Sequence, residues 1–194
     1  MKICLFGGTF DPPHIGHLLI AQTIFESEHF DKLFFIPALN PPHKDSDAIT
    51  PIEHRVNMLE LVIKDNPHFE ISDLEVKRGG VSYTIDTIQS LKKENGFGSD
   101  DLYFLLGSDT LKSFHKWKEP ESILDECQVI VAVRPGFRPS DIPAWILSQI
   151  RFANLPRIEI SATTIRERWR TDKTIRYMVT QPVWEYINKK NLYL

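Results

Sequence analysis

Four short runs of this chain, residues 3–6, 33–36, 102–106 and 129–133, are apolar at every position. A strand with one face in water alternates apolar and polar residues. A strand covered on both faces has no such need and reads as an unbroken apolar run. The stretches between the runs carry helical spacing. In residues 16–28, Leu18, Ala21 and Phe25, with Ile20 and Ile24, form one broad apolar face. Alternation of buried strands with amphipathic helices predicts an α/β fold: a Rossmann-like parallel sheet flanked by helices on both faces. Ligands in such folds bind where strands end and helices begin.

The rest of the chain supplies the remaining elements. Thr50, Pro51 and Glu53 have the spacing of an N-cap, a first helical position and a capping box. They open a helix with Val56, Leu59, Val62 and Ile63 on its buried stripe. Residues 69–71 read as a strand and Gly79-Gly80 as a turn. Ser82 or Thr84 caps a helix carrying Ile85, Ile88 and Leu91. Residues 157–160 read as a further strand. Ser161 caps a helix running toward Arg168, and a last helix starts near Pro182. A short helix is assigned to 144–150, and no role is assigned to 137–157.

The 194 residues suit one domain over 1–194. A net charge of −3 excludes the basic footprint of a nucleic-acid or anionic-membrane partner. Cys4 and Cys127, each in an apolar run, read as buried small hydrophobes. No Cys-x-x-Cys or His-x-x-x-His cluster suggests zinc, so no protein-held metal is expected. No signal-peptide pattern or long apolar span appears, and a cytoplasmic protein is expected. The sequence is compatible with a homo-oligomer and does not specify one.

The segment after the first strand carries the chemistry. Gly7 and Gly8 allow backbone N–H groups to approach a phosphate. The following helix offers free N–H donors and partial positive charge. His14 and His17 fall on its first turn, near one face. Either feature alone is mostly architecture. Together, Gly7, Gly8, Asp11-Pro12, His14 and Gly16-His17 make a specific phosphate-binding pattern. Far along the chain, Ser161 caps a helix whose N–H groups suit an anion, and Arg166 can reach the same anion with a fork of donors. Alone, that is an ordinary cap with a surface arginine. Arg168 reads as surface. Gly107-Ser108-Asp109 closes the strand at 102–106. Asp109 there can accept from a ribose or adenine group, or simply cap a turn.

Gly8-Thr9-Phe10-Asp11-Pro12 followed by His14-Ile15-Gly16-His17 resembles the signature of the HIGH-motif nucleotidyltransferase superfamily. Ile160-Ser161-Ala162-Thr163-Thr164-Ile165-Arg166 is similar to its second motif. The resemblance implies a Rossmann-like fold and transfer of a nucleotidyl group from a triphosphate, with release of pyrophosphate. It implies that His14, His17 and Arg166 stabilise the transition state. Gly7, Gly8, Thr9, Phe10, Gly107, Asp109, Ser161 and Thr163 would join them around ATP.

Within the superfamily the chain looks most like the bacterial nicotinate mononucleotide adenylyltransferases, over nearly its whole length. The carriers include Pro41-Pro42-His43-Lys44, Arg55 with Met58-Leu59, Ser82-Tyr83-Thr84-Ile85-Asp86-Thr87, Trp117, Arg134-Pro135-Gly136 and the terminal Leu192-Tyr193. That resemblance implies ATP and nicotinate mononucleotide as substrates, a step of NAD biosynthesis, and Mg²⁺ held mainly by substrate oxygens and water. Lys44 and Arg134 would meet the acceptor phosphate. Tyr83 and Thr84 would meet its carboxylate, and Trp117 would stack on its pyridine ring. Read without the resemblance, Trp117 suits a core equally well, Lys44 a solvated face, and Tyr83 plain packing. Nicotinamide mononucleotide and phosphopantetheine are the rival acceptors. A silent nucleotide-sensing module is the rival class.

Overall fold

The computed structural model describes residues 1–42, 49–134, 136–153, 155–156 and 158–194. Its strands are β1 (Ile3–Gly8), β2 (Lys32–Pro37), β3 (Phe69–Ile71), β4 (Leu102–Gly107), β5 (Gln128–Ala132) and β6 (Ile150–Ala153). All pair in parallel in the order β3-β2-β1-β4-β5-β6. The helices are α1 (Ile15–Glu28), α2 (Ile52–Ile63), α3 (Leu74–Arg78), α4 (Thr84–Asn95), α5 (Ser108–Leu111), α6 (Pro120–Glu126), α7 (Ala144–Leu147), α8 (Ala162–Arg170) and α9 (Gln181–Lys190).

The unbroken apolar runs have the predicted cause. Along β1, Ile3 and Leu5 enter one core while Cys4 and Phe6 enter the other. β4 divides the same way, with Leu102, Phe104 and Leu106 on one face and Tyr103 and Leu105 opposite. Residues of α4 and α6 cover the first face; those of α1 and α2 cover the second. A third cluster, around Met58, Ile165, Ile175, Val183 and Ile187, joins α2, α8 and α9. The strand order grows outward in both directions from β1 and β4. Their carboxyl ends flank the switch point, where the fold leaves a crevice.

Several local expectations need correction. Gly7 and Gly8 do not stop β1. They are its last two residues and pair with Ile36 and Pro37 of β2. Thr50 does not cap α2: Pro51 occupies that position and no side chain caps the helix. The Thr50 N–H donates instead to Asp11, and its carbonyl accepts from Arg55. Neither Ser82 nor Thr84 caps α4. Tyr83 stands at the N-cap, and the Ser82 hydroxyl accepts from the Asn40 N–H. The sixth strand is β6 rather than 157–160. Of that stretch, Ile158, Glu159 and Ile160 belong to no strand, and Arg157 lies outside the described residues. The helix assigned to 144–150 ends at Leu147 because β6 begins at Ile150. Ser161 does cap α8, accepting from the Thr164 N–H at 3.1 Å.

Candidate active site

A cavity of about 750 Å³ opens at the carboxyl ends of β1, β4 and β5. That lies within the range of small-molecule sites, roughly 300–1,000 Å³. Its wall begins with the loop from β1 to α1. The turn there is made by Phe10, at φ 51°, and not by the glycines. A non-glycine residue pays strain in that region, and Phe10 is held in it by packing. It is 2% exposed and meets Phe6, Phe35 and His17 edge to face. Gly8 serves close approach: a Cβ there would sit 2.8 Å from the Phe10 ring.

His14 and His17 cap α1 reciprocally. The His17 N–H donates to His14 Nδ1 at 3.3 Å, and the His14 N–H donates to His17 Nδ1 at 3.2 Å. Because each Nδ1 accepts, the neutral ring of each carries its proton on Nε2. The rings stack with centroids 3.6 Å apart. Burial, with a smaller contribution from the Arg134 charge, pushes the His14 imidazole down to about 4. His14 is therefore a neutral donor at pH 7. The expectation of a bare helix terminus changes accordingly. The Ile15 N–H is already taken by the Met178 carbonyl, and the His17 N–H by His14. The imidazoles line the cavity in their place.

Gly7, Gly8, Thr9, Phe10, Gly107, Asp109, Tyr83, Thr84, Trp117, Arg134, Thr163 and Arg166 all line this cavity with the histidines. Ser161 lies outside its lining and is occupied as a cap. Lys44 and His43 lie outside the described residues. Arg166 Nη1 donates to the Asp11 carbonyl at 2.7 Å, so α8 is tied to the loop that carries His14. Arg168 donates twice to the Thr174 carbonyl, a structural contact away from the cavity. Arg134 Nη1 lies 3.0 Å from Asp109 Oδ2, at the mouths of adjacent strands. Trp117 is both core and wall. It packs against Phe104 and Phe114, and its Nε1 is buried without a partner.

Three residues had no assigned role in the sequence. Arg55 is 1% exposed and donates to the carbonyls of Thr50, Thr9, Ala38 and Leu39. It ties the β1 loop, the β2 loop and α2 together. An arginine at a position in register with the buried Leu59 was the available signal. Glu75 lines the cavity, with Oε1 receiving the Thr87 hydroxyl at 2.8 Å and Oε2 buried without a partner. Lys118 bridges to Asp86 at 2.7 Å and lies over the Tyr83 ring at 5.0 Å. Nothing in the local pattern distinguishes it from a solvated lysine.

Residues 5–168 match the cytidylyltransferase-like family. The chain belongs to that family. Within it, the nicotinate-nucleotide adenylyltransferase of Bacillus subtilis is 40% identical over 192 residues, 99% of this chain and 98% of that one. A probable nicotinate-nucleotide adenylyltransferase of Salinibacter ruber is 37% identical, over 100% and 98% of the two chains. Such likeness places the chain among the nicotinate-nucleotide adenylyltransferases of the family. In fold it matches the Plasmodium falciparum nicotinic acid mononucleotide adenylyltransferase solved with NaAD. The TM-score is 0.82, over 99% and 97% of the two chains, at 24% identity. Among the described residues of this family member, no helix is long and apolar enough to cross a membrane.

Proposed function

We propose that this protein transfers the adenylyl group of ATP to nicotinate mononucleotide, forming nicotinate adenine dinucleotide and pyrophosphate. Full-length similarity to the Bacillus subtilis enzyme supports the reaction. The observation that carries it is a single cavity joining two sets of groups: His14, His17, Thr163 and Arg166 with Tyr83, Thr84 and Trp117. The first set suits a triphosphate. The second suits a flat, charged ring.

The acceptor phosphate is an anion at neutral pH and needs no general base. One of its oxygens attacks the α-phosphorus of ATP. The new P–O bond forms as the bond from the α-phosphorus to the bridging oxygen breaks, and that electron pair leaves with pyrophosphate. The protein's task is placement and charge stabilisation. Orientation supplies roughly 7–11 kcal/mol. A donor aimed at the developing charge supplies about 3–4 kcal/mol. The Nε2–H groups of His14 and His17 and the guanidinium of Arg166 take that donor role. Their supports are rigid: a reciprocal cap, an aromatic wall and the Asp11 carbonyl.

Tyr83 and Thr84 begin α4, which no side chain caps. Its first-turn N–H groups are suited to the pyridine carboxylate. Trp117 stacks on the ring. Arg134 meets the acceptor phosphate by giving up Asp109, which then accepts from the adenosine half. Lys44 belongs to the same acceptor set. Among the described residues, no three His, Cys, Asp or Glu side chains gather as metal ligands. Both Asp11 carboxylate oxygens are also engaged. Such a donor set fits Mg²⁺ carried by phosphate oxygens and water. When bound, it neutralises charge on the triphosphate. A cytoplasmic setting belongs to the same reading.

The test is pyrophosphate release from ATP and Mg²⁺ with nicotinate mononucleotide, nicotinamide mononucleotide or phosphopantetheine in separate reactions. Release with the first, at a kcat/KM well above the others, is expected. No release with any acceptor would leave a nucleotide-sensing module as the better reading.

A further inference from the structure

Asp11 is 3% exposed, and each of its three oxygens has a partner from a different part of the chain. The carbonyl accepts from Arg166 Nη1 at 2.7 Å. Oδ2 accepts from the Thr50 N–H at 3.2 Å. Oδ1 accepts from the Tyr193 hydroxyl at 2.7 Å, across 182 positions of sequence. One residue of the β1–α1 loop thus gathers α8, the entry to α2 and the end of the chain. It stands three residues before His14.

The tail reaches Asp11 by a built path. Beyond α9 the backbone turns at Asn191, φ 49°, and again at Tyr193, φ 68°. The Leu192 N–H donates back to the Ile187 carbonyl, and Leu192 and Tyr193 pack on the cluster around Met58, Ile165 and Ile187. Asparagine tolerates the left-handed region; tyrosine rarely enters it. A tyrosine held there, the third residue of the four that follow α9, satisfies a buried carboxylate. Burial, then the Asp11 charge and hydrogen bond, push the Tyr193 phenol well up. The hydroxyl therefore remains the donor throughout the working pH range.

We propose that Tyr193 is a positioning residue for adenylyl transfer: its hydroxyl fixes Asp11, and Asp11 fixes both the His14 loop and the Arg166 guanidinium. The role rests on the function proposed above for His14 and Arg166. Without the hydroxyl, the carboxylate loses a buried donor and the loop gains freedom. A loosened donor set costs the transition state more than the ground state.

Wild type, Y193F, R166A and the double variant test this, each assayed for pyrophosphate release and for equilibrium binding of a non-hydrolysable ATP analogue. Y193F is expected to lower kcat about tenfold, the scale of one hydrogen bond to a charged group. KM for both substrates should stay within about twofold, since the loss falls on the transition state. In the R166A background, Y193F should cost less than about twofold more, because both changes act through one contact. D11N, which weakens the same bond from its acceptor side, should shift kcat in the same direction. Wild-type kcat per folded Y193F molecule would overturn the proposal, whatever the change in Tm. So would Y193F and R166A effects that simply multiply. If the wild type turns over no mononucleotide, the proposed function fails. That outcome overturns the Tyr193 role as well, whereas a working wild type beside an unimpaired Y193F overturns that role alone; analogue affinity should stay within about twofold of wild type in Y193F.

Discussion

Acidification should unlock this fold through His14. The imidazole is 2% exposed, and burial pushes it down to about 4 from an ordinary 6.5. In the unfolded chain the same ring takes its proton near 6.5. Between those values the unfolded state binds a proton that the folded state refuses, so stability falls as pH falls. The contribution is complete above pH 6.5 and lost on approaching pH 4. At about 1.4 kcal/mol per pH unit, the loss amounts to roughly 3 kcal/mol. That is a sizeable share of a domain stability of about 5–15 kcal/mol.

Urea unfolding at several pH values from 7 to 4 reads this directly. With m on the order of 2 kcal/mol/M, His14 accounts for a fall of roughly 1.5 M in the midpoint. His14→Asn separates it from other acid effects, because asparagine serves as an N-cap but does not titrate in this range. The difference between wild type and His14→Asn should shift in favour of the variant by about 3 kcal/mol from pH 7 to pH 4. NMR titration of the imidazole gives an independent reading. Parallel stability curves for the two proteins, or an imidazole midpoint near 6.5, would refute the reasoning.

Other outcomes follow from the same geometry. His17→Ala should lower kcat at least about a hundredfold with the far-UV CD spectrum retained; near-normal turnover of the folded variant would remove His17 from the donor role. Trp117→Ala should raise KM for the acceptor far more than KM for ATP, measured by varying each substrate in turn. Equal increases would argue against stacking. Arg55→Leu should destabilise the fold by about 3–5 kcal/mol in urea, since four partly buried carbonyls lose the donor that the buried guanidinium supplies. A change under about 1 kcal/mol would mean that water replaces the guanidinium.

The sheet was legible because burial on both faces leaves no freedom of composition. Leu102–Gly107 is apolar on both sides of the pleat, and no helix or exposed strand explains that run equally well. The local ends of elements were less legible. Thr50, Pro51 and Glu53 carry a capping signal, yet tertiary demands recruit Thr50 to Asp11 and Arg55 instead. The edge strand β6 was misplaced because Arg151 and Phe152 face partly outward, so no apolar run marks it. The site divides similarly. His14, His17 and Arg166 sit in dense motifs at element junctions, where chain direction alone brings them to one crevice. Arg55, Glu75 and Tyr193 act through partners 5 to 182 positions distant, a relation that no local spacing encodes.

The two halves of the site also differ in rigidity, and the difference bears on what each half selects. The histidine pair is fixed by reciprocal hydrogen bonds and an aromatic wall, with one ring buried. Its geometry is set before substrate arrives, as a transition-state donor requires. The ion pairs at the rim are exposed: Arg134 with Asp109 at 36% and 64%, Lys118 with Asp86 at 40% and 31%. Pairs of that kind contribute about 0–1 kcal/mol. A ligand phosphate or carboxylate can displace either partner at little cost. Substitutions in the fixed half should therefore appear in kcat, and substitutions at the rim in KM and in the choice between acceptors. Discrimination of a carboxylate from an amide would then reside in charges that re-pair on binding, while the chemistry would stay with groups already held by hydrogen bonds and packing.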